Sequence, residues 1–203
     1  MTIEELKLKY RYPEWVKHND YFGPGPEHEE WFKKLFQISQ NKKPEDIKIV
    51  LELGSFAGMG STRLFSKFFS NATIICVDVW NWPNNNVITL NHKVSDIMFS
   101  FLANTYDIRD KIIPLNMKVS ESLEFLNSNK IIPDLVFHDA SHTYPEVLED
   151  LEMIHKLFPS SAIFGHDFNF EEVKKSVLIF SENHSFTIKE YGTMFYICKN
   201  KNR

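Results

Sequence analysis

Cysteine is nearly absent from this sequence: the 203 residues contain only Cys76 and Cys198. Each lies within a strand-like apolar run, with no CxxC motif and no cluster of cysteine and histidine beside it. The pattern indicates neither a disulfide framework nor a zinc site. We interpret both cysteines as reduced residues of the core.

Long apolar runs are also lacking. No run approaches the roughly 18 residues of a membrane span. Met1 leads into acidic and basic residues rather than into the apolar core of a signal peptide. We therefore expect a soluble, cytoplasmic protein without a membrane partner.

The sequence has no excess of positive charge. Its formal net charge is −4 at pH 7, which argues against a dominant nucleic-acid surface and favours small molecules or proteins as partners. What is present is typical of a globular protein, with 43% apolar and 25% charged residues. This length and composition predict one ordinary core.

From residue 47 onward, short apolar runs alternate with longer amphipathic ones. This alternation predicts βαβ units, a mostly parallel sheet with helices on both faces, and thus a Rossmann-like, doubly wound α/β fold. The last two runs are joined by a tight turn at Gly192, which predicts a C-terminal antiparallel hairpin. Predicted strands cover 47–53, 72–79, 111–116, 134–139, 161–167, 185–191 and 193–199. Predicted helices start near Ser61 and cover about 91–106, 145–158 and 171–183.

The first 46 residues do not follow this pattern. Residues 1–25 are rich in aromatic residues and end in FGPGP, which disfavours regular structure, so they are predicted to form an arm before the core. A helix is predicted from Pro26 to near Asn41. We interpret residues 1–46 as a candidate lid or homo-oligomer contact, and residues 47–203 as the ligand-binding domain.

Three of the seven glycines fall in one turn after the first strand, within LELGSFAGMGSTRLFS at residues 51–66. Gly54, Gly58 and Gly60 would let a ligand approach the backbone and the start of the next helix. Their spacing does not match G-x-G-x-x-G, and no Lys-Ser/Thr pair follows to form a phosphate loop. The turn favours a nucleoside ligand without a bound pyrophosphate; the alternative is a glycine-rich turn that binds nothing.

Asp78 ends the second predicted strand in the run CVDVW. A carboxylate at this place can accept both hydroxyl groups of a ribose, or it can cap a following helix. Trp80 and Trp82 follow it. They are candidates either to flank an adenine ring or to pack in the core.

Four ordered stretches, ELGSFAGMGST, CVDVW, LVFHDASHTYPEVLEDL and IFGHDF, resemble the class I S-adenosylmethionine-dependent methyltransferases. The closest similarity is to the methyltransferase 24 type, which includes sugar and macrolide O-methyltransferases, and it covers roughly residues 47–198. The resemblance implies a seven-stranded sheet whose last strand is antiparallel. It departs from the family at Ala57 and Met59, where longer polar residues are usual, and at Pro159-Ser160-Ser161, where Pro-Gly-Gly is common.

The resemblance also implies how the cofactor is held. Glu52 and the glycine turn would hold the methionine end, and Asp78 would hold the ribose. The full set of cofactor-binding candidates is Glu52, Gly54, Ser55, Phe56, Gly58, Gly60, Ser61, Asp78, Trp80 and Asp139.

The stretch around residue 139 places an acid and an imidazole together. Asp139 and Asp167 end two predicted strands that are adjacent in this topology, and oxygen ligands of this kind suit a hard cation such as Mg²⁺. A hydroxyl acceptor needs a base or a metal ion to become an adequate nucleophile. The resemblance implies Asp139 and Asp167 as metal ligands and His142 as the catalytic base. His166 precedes Asp167 and is a candidate for an additional ligand or for a residue that supports one.

Each acid also has a purely structural interpretation. Asp139 would bind the backbone N–H groups of Ser141 and His142, and Asp167 would start a helix together with Glu171. His138 is interpreted as structural, pointing away from the crevice.

The sequence thus predicts an S-adenosylmethionine-dependent O-methyltransferase that acts on a small hydroxylated acceptor, with sugars among the candidates, assisted by a divalent metal ion. Two alternatives remain. One is a non-catalytic cofactor-binding protein of the same fold. The other is a nicotinamide-dependent oxidoreductase, which the glycine spacing and the lack of a Tyr-x-x-x-Lys pair disfavour.

Overall fold

A computed structural model describes residues 1–14, 16, 26–39, 42–80 and 95–199. The helices are α1 (Ile3–Lys9), α2 (Pro26–Ser39), α3 (Ser61–Phe68), α4 (Ser95–Asn104), α5 (Val119–Ser128), α6 (Tyr144–Leu157) and α7 (Glu171–Asn183). The strands are β1 (Ile49–Leu53), β2 (Thr73–Asp78), β3 (Ile112–Asn116), β4 (Leu135–His138), β5 (Ala162–Gly165), β6 (Thr187–Tyr191) and β7 (Met194–Cys198). Short 3₁₀ turns cover Pro44–Asp46 and Tyr106–Lys111.

The seven strands form one sheet in the order β3-β2-β1-β4-β5-β7-β6. Strands β1 to β5 are parallel, and β7 runs antiparallel to both of its neighbours. The predicted α/β class, the mostly parallel sheet and the antiparallel C-terminal hairpin are confirmed. The predicted adjacency of the strands that carry Asp139 and Asp167 is confirmed too, because β4 pairs with β5.

Both faces of the sheet are covered by apolar clusters, as the near-continuous apolar strands require. One face is rich in phenylalanine: Phe32 of α2 packs on Phe164 of β5, and Phe65 of α3 packs on Phe137 of β4. Helix α5 packs on the other face through Leu123 and Leu126. No helix is predicted at α5 from the sequence. Strands β3 and β4 run parallel in the sheet with β2 and β1 between them, so the chain between them has to cross over, and α5 is part of that crossover.

Two predicted helix boundaries lie outside the described residues: the start of the helix predicted at 91–106, and the end, near Asn41, of the helix predicted from Pro26. Trp82 also lies outside them. Among the described residues, no helix is long and apolar enough to span a bilayer.

The predicted N-terminal arm contains a helix that packs in the core. In α1 the hydroxyl of Thr2 accepts the N–H of Glu5, and the Glu5 carboxylate accepts the N–H of Thr2, which closes a capping box. Leu6 is fully buried in the same apolar cluster as β1 and β2. In α2, Phe32 and Leu35 are fully buried. Whether residues 1–46 also act as a lid or an oligomer contact stays a prediction.

Truncating Leu6 tests this placement of α1. We expect Leu6→Ala to lower the free energy of unfolding by about 2–5 kcal/mol, the usual cost of a buried leucine truncation. Leu8→Ala is the matched control, because Leu8 is 73% exposed, and it should change stability by less than about 0.5 kcal/mol. Urea denaturation followed by circular dichroism measures both; equal, small effects would mean that α1 is not part of the core.

Candidate active site

The carboxyl ends of the parallel strands converge on a cavity of about 210 Å³. Of the predicted site residues, seven line it: Gly54, Ser55, Phe56, Gly60, Ser61, Asp139 and His166. Glu52, Gly58, Asp78, Trp80, His142 and Asp167 are not among its lining residues. Ala57 and Met59, the two departures from the family pattern, are part of its wall, so they alter the surface that a ligand meets.

The glycine turn owes its shape to two glycines. Gly54 has φ +89°, and a Cβ there would lie 2.0 Å from the carbonyl oxygen of Asp139, so the ends of β1 and β4 meet only because a side chain is missing. Gly58 has φ +67° and would press a Cβ against Thr105 and Phe101. Gly60 is different: a Cβ there would meet nothing within 4 Å. Packing does not demand glycine at 60, and its open side belongs to the cavity.

Glu52 lies beneath the turn and is completely buried. Its Oε2 accepts hydrogen bonds from the hydroxyls of Ser55 (2.7 Å) and Thr62 (2.6 Å), while its Oε1 has no partner. Burial raises the pKa of this carboxyl. Glu52 therefore ties the turn to the start of α3, and it keeps one unused acceptor atom.

Asp78 organises the turn from the end of β2. Its Oδ2 accepts the backbone N–H of Phe56 at 2.9 Å, and its Oδ1 accepts that of Trp80 at 2.8 Å. Burial raises the pKa of the carboxyl, and these backbone hydrogen bonds oppose that rise. The backbone N–H of Val79 is a third donor to this carboxylate. The carboxylate is thus already oriented by the backbone around it.

Trp80 is placed in the core rather than in the cavity. Its indole is 4% exposed, donates its Nε1–H to the carbonyl of Phe56 at 2.7 Å, and packs 4.9 Å from Phe101 between ring centroids. The structure gives Trp80 a packing role. Direct contact with a cofactor stays a prediction for this residue.

Beside the glycine turn lies a group of two carboxylates and two imidazoles, which we call the acid–base group: Asp139, Asp167, His142 and His166. His166 Nδ1 lies 3.0 Å from Asp167 Oδ1 and 3.6 Å from Asp139 Oδ1. His142 Nε2 lies 2.7 Å from the other oxygen of Asp167. The carboxylates predicted at two strand ends therefore meet, with His166 between them and His142 on the outer side of Asp167.

The pKa values of this group are coupled. Burial would lower the pKa of His166, but the hydrogen bonds to Asp139 and Asp167 raise it to about 9. The hydrogen bond to Asp167 raises the pKa of His142. Burial acts to raise the pKa of Asp167, yet the two imidazoles hold it well below its usual range. Burial raises the pKa of Asp139. Asp167 is therefore the acid of the pair that stays ionised most readily.

The structural alternatives for the two acids find less support in the contacts. Around the start of α6, the Ser141 hydroxyl accepts the N–H of Thr143 (3.2 Å), and Glu146 accepts the Thr143 hydroxyl (2.8 Å). Phe170 N–H binds the backbone carbonyl of Asp167, not its side chain. The carboxylates are left facing imidazoles. His138 pairs with Asp150 at 2.9 Å and is 2% exposed, as a structural residue would be.

The donor set fits a divalent cation. One donor atom each from Asp139, His166 and Asp167 lies within 4.8 Å of the others. The opposite nitrogen of His166, Nε2, lies 2.8 Å from the Thr193 hydroxyl. Without a cation, the raised pKa keeps the His166 Nδ1 protonated toward the carboxylates. A bound cation would replace that proton, and an Nε2–H donated to the Thr193 hydroxyl would then hold the ring as a ligating histidine is held in proteins.

Four cavity residues are missing from the site predicted from the sequence, namely His28, Leu64, Phe137 and Met194, and His28 is the ionisable one among them. His28, in α2, lines the cavity beside Asp139 and His166. The signal for it is its spacing: His28 precedes Phe32 by four residues, so the two share one helical face, which Phe32 buries against the core. Thr193, which holds His166, carries no comparable pattern.

The fold and site together define a class. A seven-stranded sheet with an antiparallel seventh strand, a glycine turn after β1 and an acid after β2 is the arrangement of the class I S-adenosylmethionine-dependent methyltransferases. A family model described as "Methyltransferase domain", of the methyltransferase 24 type, matches residues 51–168, more than half of the chain. The chain belongs to this methyltransferase family.

Solved structures agree on the fold. The O-methyltransferase from Bacillus cereus in complex with SAH has a TM-score of 0.59 and 16% identity, with 97% of this chain and 90% of that chain covered. Aeropyrum pernix fibrillarin with bound S-adenosyl-L-methionine gives 0.56 and 13%, with 84% and 76% covered. Precorrin-6y C5,15-methyltransferase from Geobacter metallireducens gives 0.56 and 12%, with 92% and 97% covered. No curated protein sequence matches the chain.

These identities show a shared fold only. Two of the names state where the methyl group goes: to oxygen in the Bacillus cereus enzyme and to C5 and C15 in the precorrin enzyme. The fold therefore does not decide which atom receives the methyl group.

Proposed function

We propose that the chain is an S-adenosylmethionine-dependent O-methyltransferase that modifies a small hydroxylated acceptor, with sugars among the candidate acceptors. The observation that carries this proposal is the cavity itself. The cavity is lined both by the glycine turn of a methyltransferase fold and by Asp139 and His166. These two residues belong to the acid–base group of two carboxylates and two imidazoles. A hydroxyl group needs such acid–base groups to become a nucleophile, whereas an already nucleophilic acceptor does not.

The proposed binding site for the cofactor, called the cofactor seat, consists of the glycine turn (residues 54–60), Glu52 and Asp78. Gly60 leaves room for the ligand, and the unpartnered Oε1 of Glu52 is a buried acceptor close to the turn. Asp78 is the proposed acceptor for the ribose hydroxyls, and the N–H groups of Phe56 and Trp80 orient its carboxylate in advance. When bound, S-adenosylmethionine supplies an electrophilic methyl group on a sulfonium. The residues present fit this ligand.

His142 is proposed as the base. Asp167 holds its Nε2 at 2.7 Å, so its Nδ1 is the nitrogen that takes the acceptor proton, and the carboxylate stabilises the imidazolium that forms. In the transfer, the methyl–sulfur bond breaks as the oxygen–methyl bond forms, and the proton moves from the acceptor oxygen to His142. The protein's other contribution is to hold donor and acceptor in line.

Asp139, His166 and Asp167 are proposed to hold a divalent ion, with Mg²⁺ as the first candidate. Such an ion would lower the pKa of a coordinated hydroxyl. With the ion in place, Asp167 would serve both the metal and His142 through its two different oxygens.

If the metal site exists, removing the negative charge of Asp167 should lower the affinity for the metal ion. We expect Mn²⁺ or Mg²⁺ to bind the metal-free protein in isothermal titration, and Asp167→Asn to weaken binding at least about tenfold, because an anionic ligand is lost. Glu171→Gln, an exposed change at the start of α7, is the matched control and should bind as the wild type does. Equal affinity in Asp167→Asn would remove the metal from the proposal.

A further inference from the structure

Helix α2 contributes a side chain to the active-site cavity that neither the cofactor seat nor the metal group uses. His28 lines the cavity with the glycine turn, Asp139 and His166. Its ring centroid lies 5.1 Å from that of His166, and the rings are nearly perpendicular at 70°. His28 therefore stands where the proposed cofactor seat and the acid–base group meet.

The position of His28 is fixed by two packed neighbours on the same helix. Phe32, one turn further along, is fully buried, with its ring centroid 5.0 Å from that of Phe65 and 5.5 Å from that of Phe164. Trp31 lies on the turn between β6 and β7, where a Cβ on Gly192 would come within 2.2 Å of its ring. The His28 ring lies 5.1 Å from the Trp31 ring.

The same hairpin turn also holds His166. Thr193 follows Gly192, and its hydroxyl lies 2.8 Å from His166 Nε2. One turn thus supports Trp31 through Gly192 and His166 through Thr193. The two rings that flank His28 therefore rest on the same turn, and the His28 ring lies 5.1 Å from each of them.

We propose that His28 contacts the reacting end of bound S-adenosylmethionine and the incoming acceptor hydroxyl, so that α2 completes the transfer site. The inference rests on the proposed function, because it assumes that the glycine turn seats the methionine end. An imidazole at this place displaces water from the sulfonium and offers a hydrogen bond that positions the acceptor oxygen. The proton of the acceptor still leaves to His142.

Nuclear magnetic resonance of the histidine rings tests the contact without a known acceptor. Full-length protein labelled at histidine is titrated with S-adenosylhomocysteine, and His28→Gln assigns the His28 signal by its disappearance. We expect the signals of His28 and His166 to shift. The signal of His184, which pairs with Glu152 at 2.8 Å, is the internal control and should not. Shifts at His166 without any at His28 would overturn the inference and leave the proposed function standing.

Calorimetry with the same ligand gives a second, independent test. His28→Ala should lower the affinity for S-adenosylhomocysteine about tenfold, the equivalent of about 1.4 kcal/mol, because the contact between the ring and the bound ligand is lost. Lys34→Ala, an exposed change on the same helix, should leave it unchanged. Wild-type affinity in His28→Ala would contradict the contact, and His28→Gln serves if the alanine variant does not fold. No binding to the wild type would instead defeat the proposed function.

Discussion

Replacing Gly54 by alanine is expected to destabilise the protein by at least about 3 kcal/mol, because strain from a positive φ and overpacking add. The new Cβ would lie 2.0 Å from the carbonyl oxygen of Asp139. That carbonyl cannot move freely, since the N–H of Asp139 donates to Leu53 at 2.8 Å. Urea denaturation measures the effect, and cofactor binding should be lost with it.

Gly60→Ala is the matched control within the same turn. A Cβ at 60 meets nothing within 4 Å, but Gly60 is the N-cap of α3, where alanine is less favourable than glycine. The free energy of unfolding should therefore fall by no more than about 1 kcal/mol. Because Gly60 lines the cavity, the added methyl group should still weaken cofactor binding. Equal losses of stability at the two positions would contradict the geometry of the turn.

Replacing Asp78 by alanine is expected to lower the affinity for S-adenosylhomocysteine at least about 100-fold, since hydrogen bonds to a charged group are each worth about 1.5–3 kcal/mol. Two effects combine. The ribose would lose its acceptor, and the N–H groups of Phe56 and Trp80 would lose theirs, which loosens the turn. Isothermal titration gives the affinities.

Asp110→Asn removes the same charge from an exposed position and should bind like the wild type. Comparing it with Asp78→Ala separates a local effect from a change in net charge. If Asp78→Ala bound S-adenosylhomocysteine within about twofold of the wild type, the ribose role of Asp78 would be wrong.

The topology was predictable because it depends on patterns that sequence displays directly. Apolar strands alternate with amphipathic helices, and parallel strands bring their carboxyl ends to one edge. These patterns predict Asp139 and Asp167 on adjacent strands, and the structure confirms that β4 and β5 pair. They also predict the glycine turn, where Gly54 and Gly58 adopt positive φ.

What escaped prediction depends on which way a side chain points and on contacts between distant segments. A tryptophan beside a strand end can either contact a ligand or pack in the core, and the sequence fits both roles. Trp80 is buried by contact with Phe101, a residue 21 positions further along the sequence. The contact between His28 and His166 joins α2 to the residue that follows β5, far apart in the sequence. The helical spacing of His28 shows which face of α2 it occupies, but not which distant residue it contacts. The acceptor is likewise a property of the cavity's detailed shape.

Isothermal titration of the wild-type protein with S-adenosylhomocysteine, S-adenosylmethionine and NAD, with and without Mg²⁺, tests the central claim most directly. The account predicts micromolar affinity for both sulfur-containing ligands and none for NAD, since the turn lacks the spacing that binds a pyrophosphate. Failure of both adenosyl ligands to bind, or binding of NAD in their place, would contradict it.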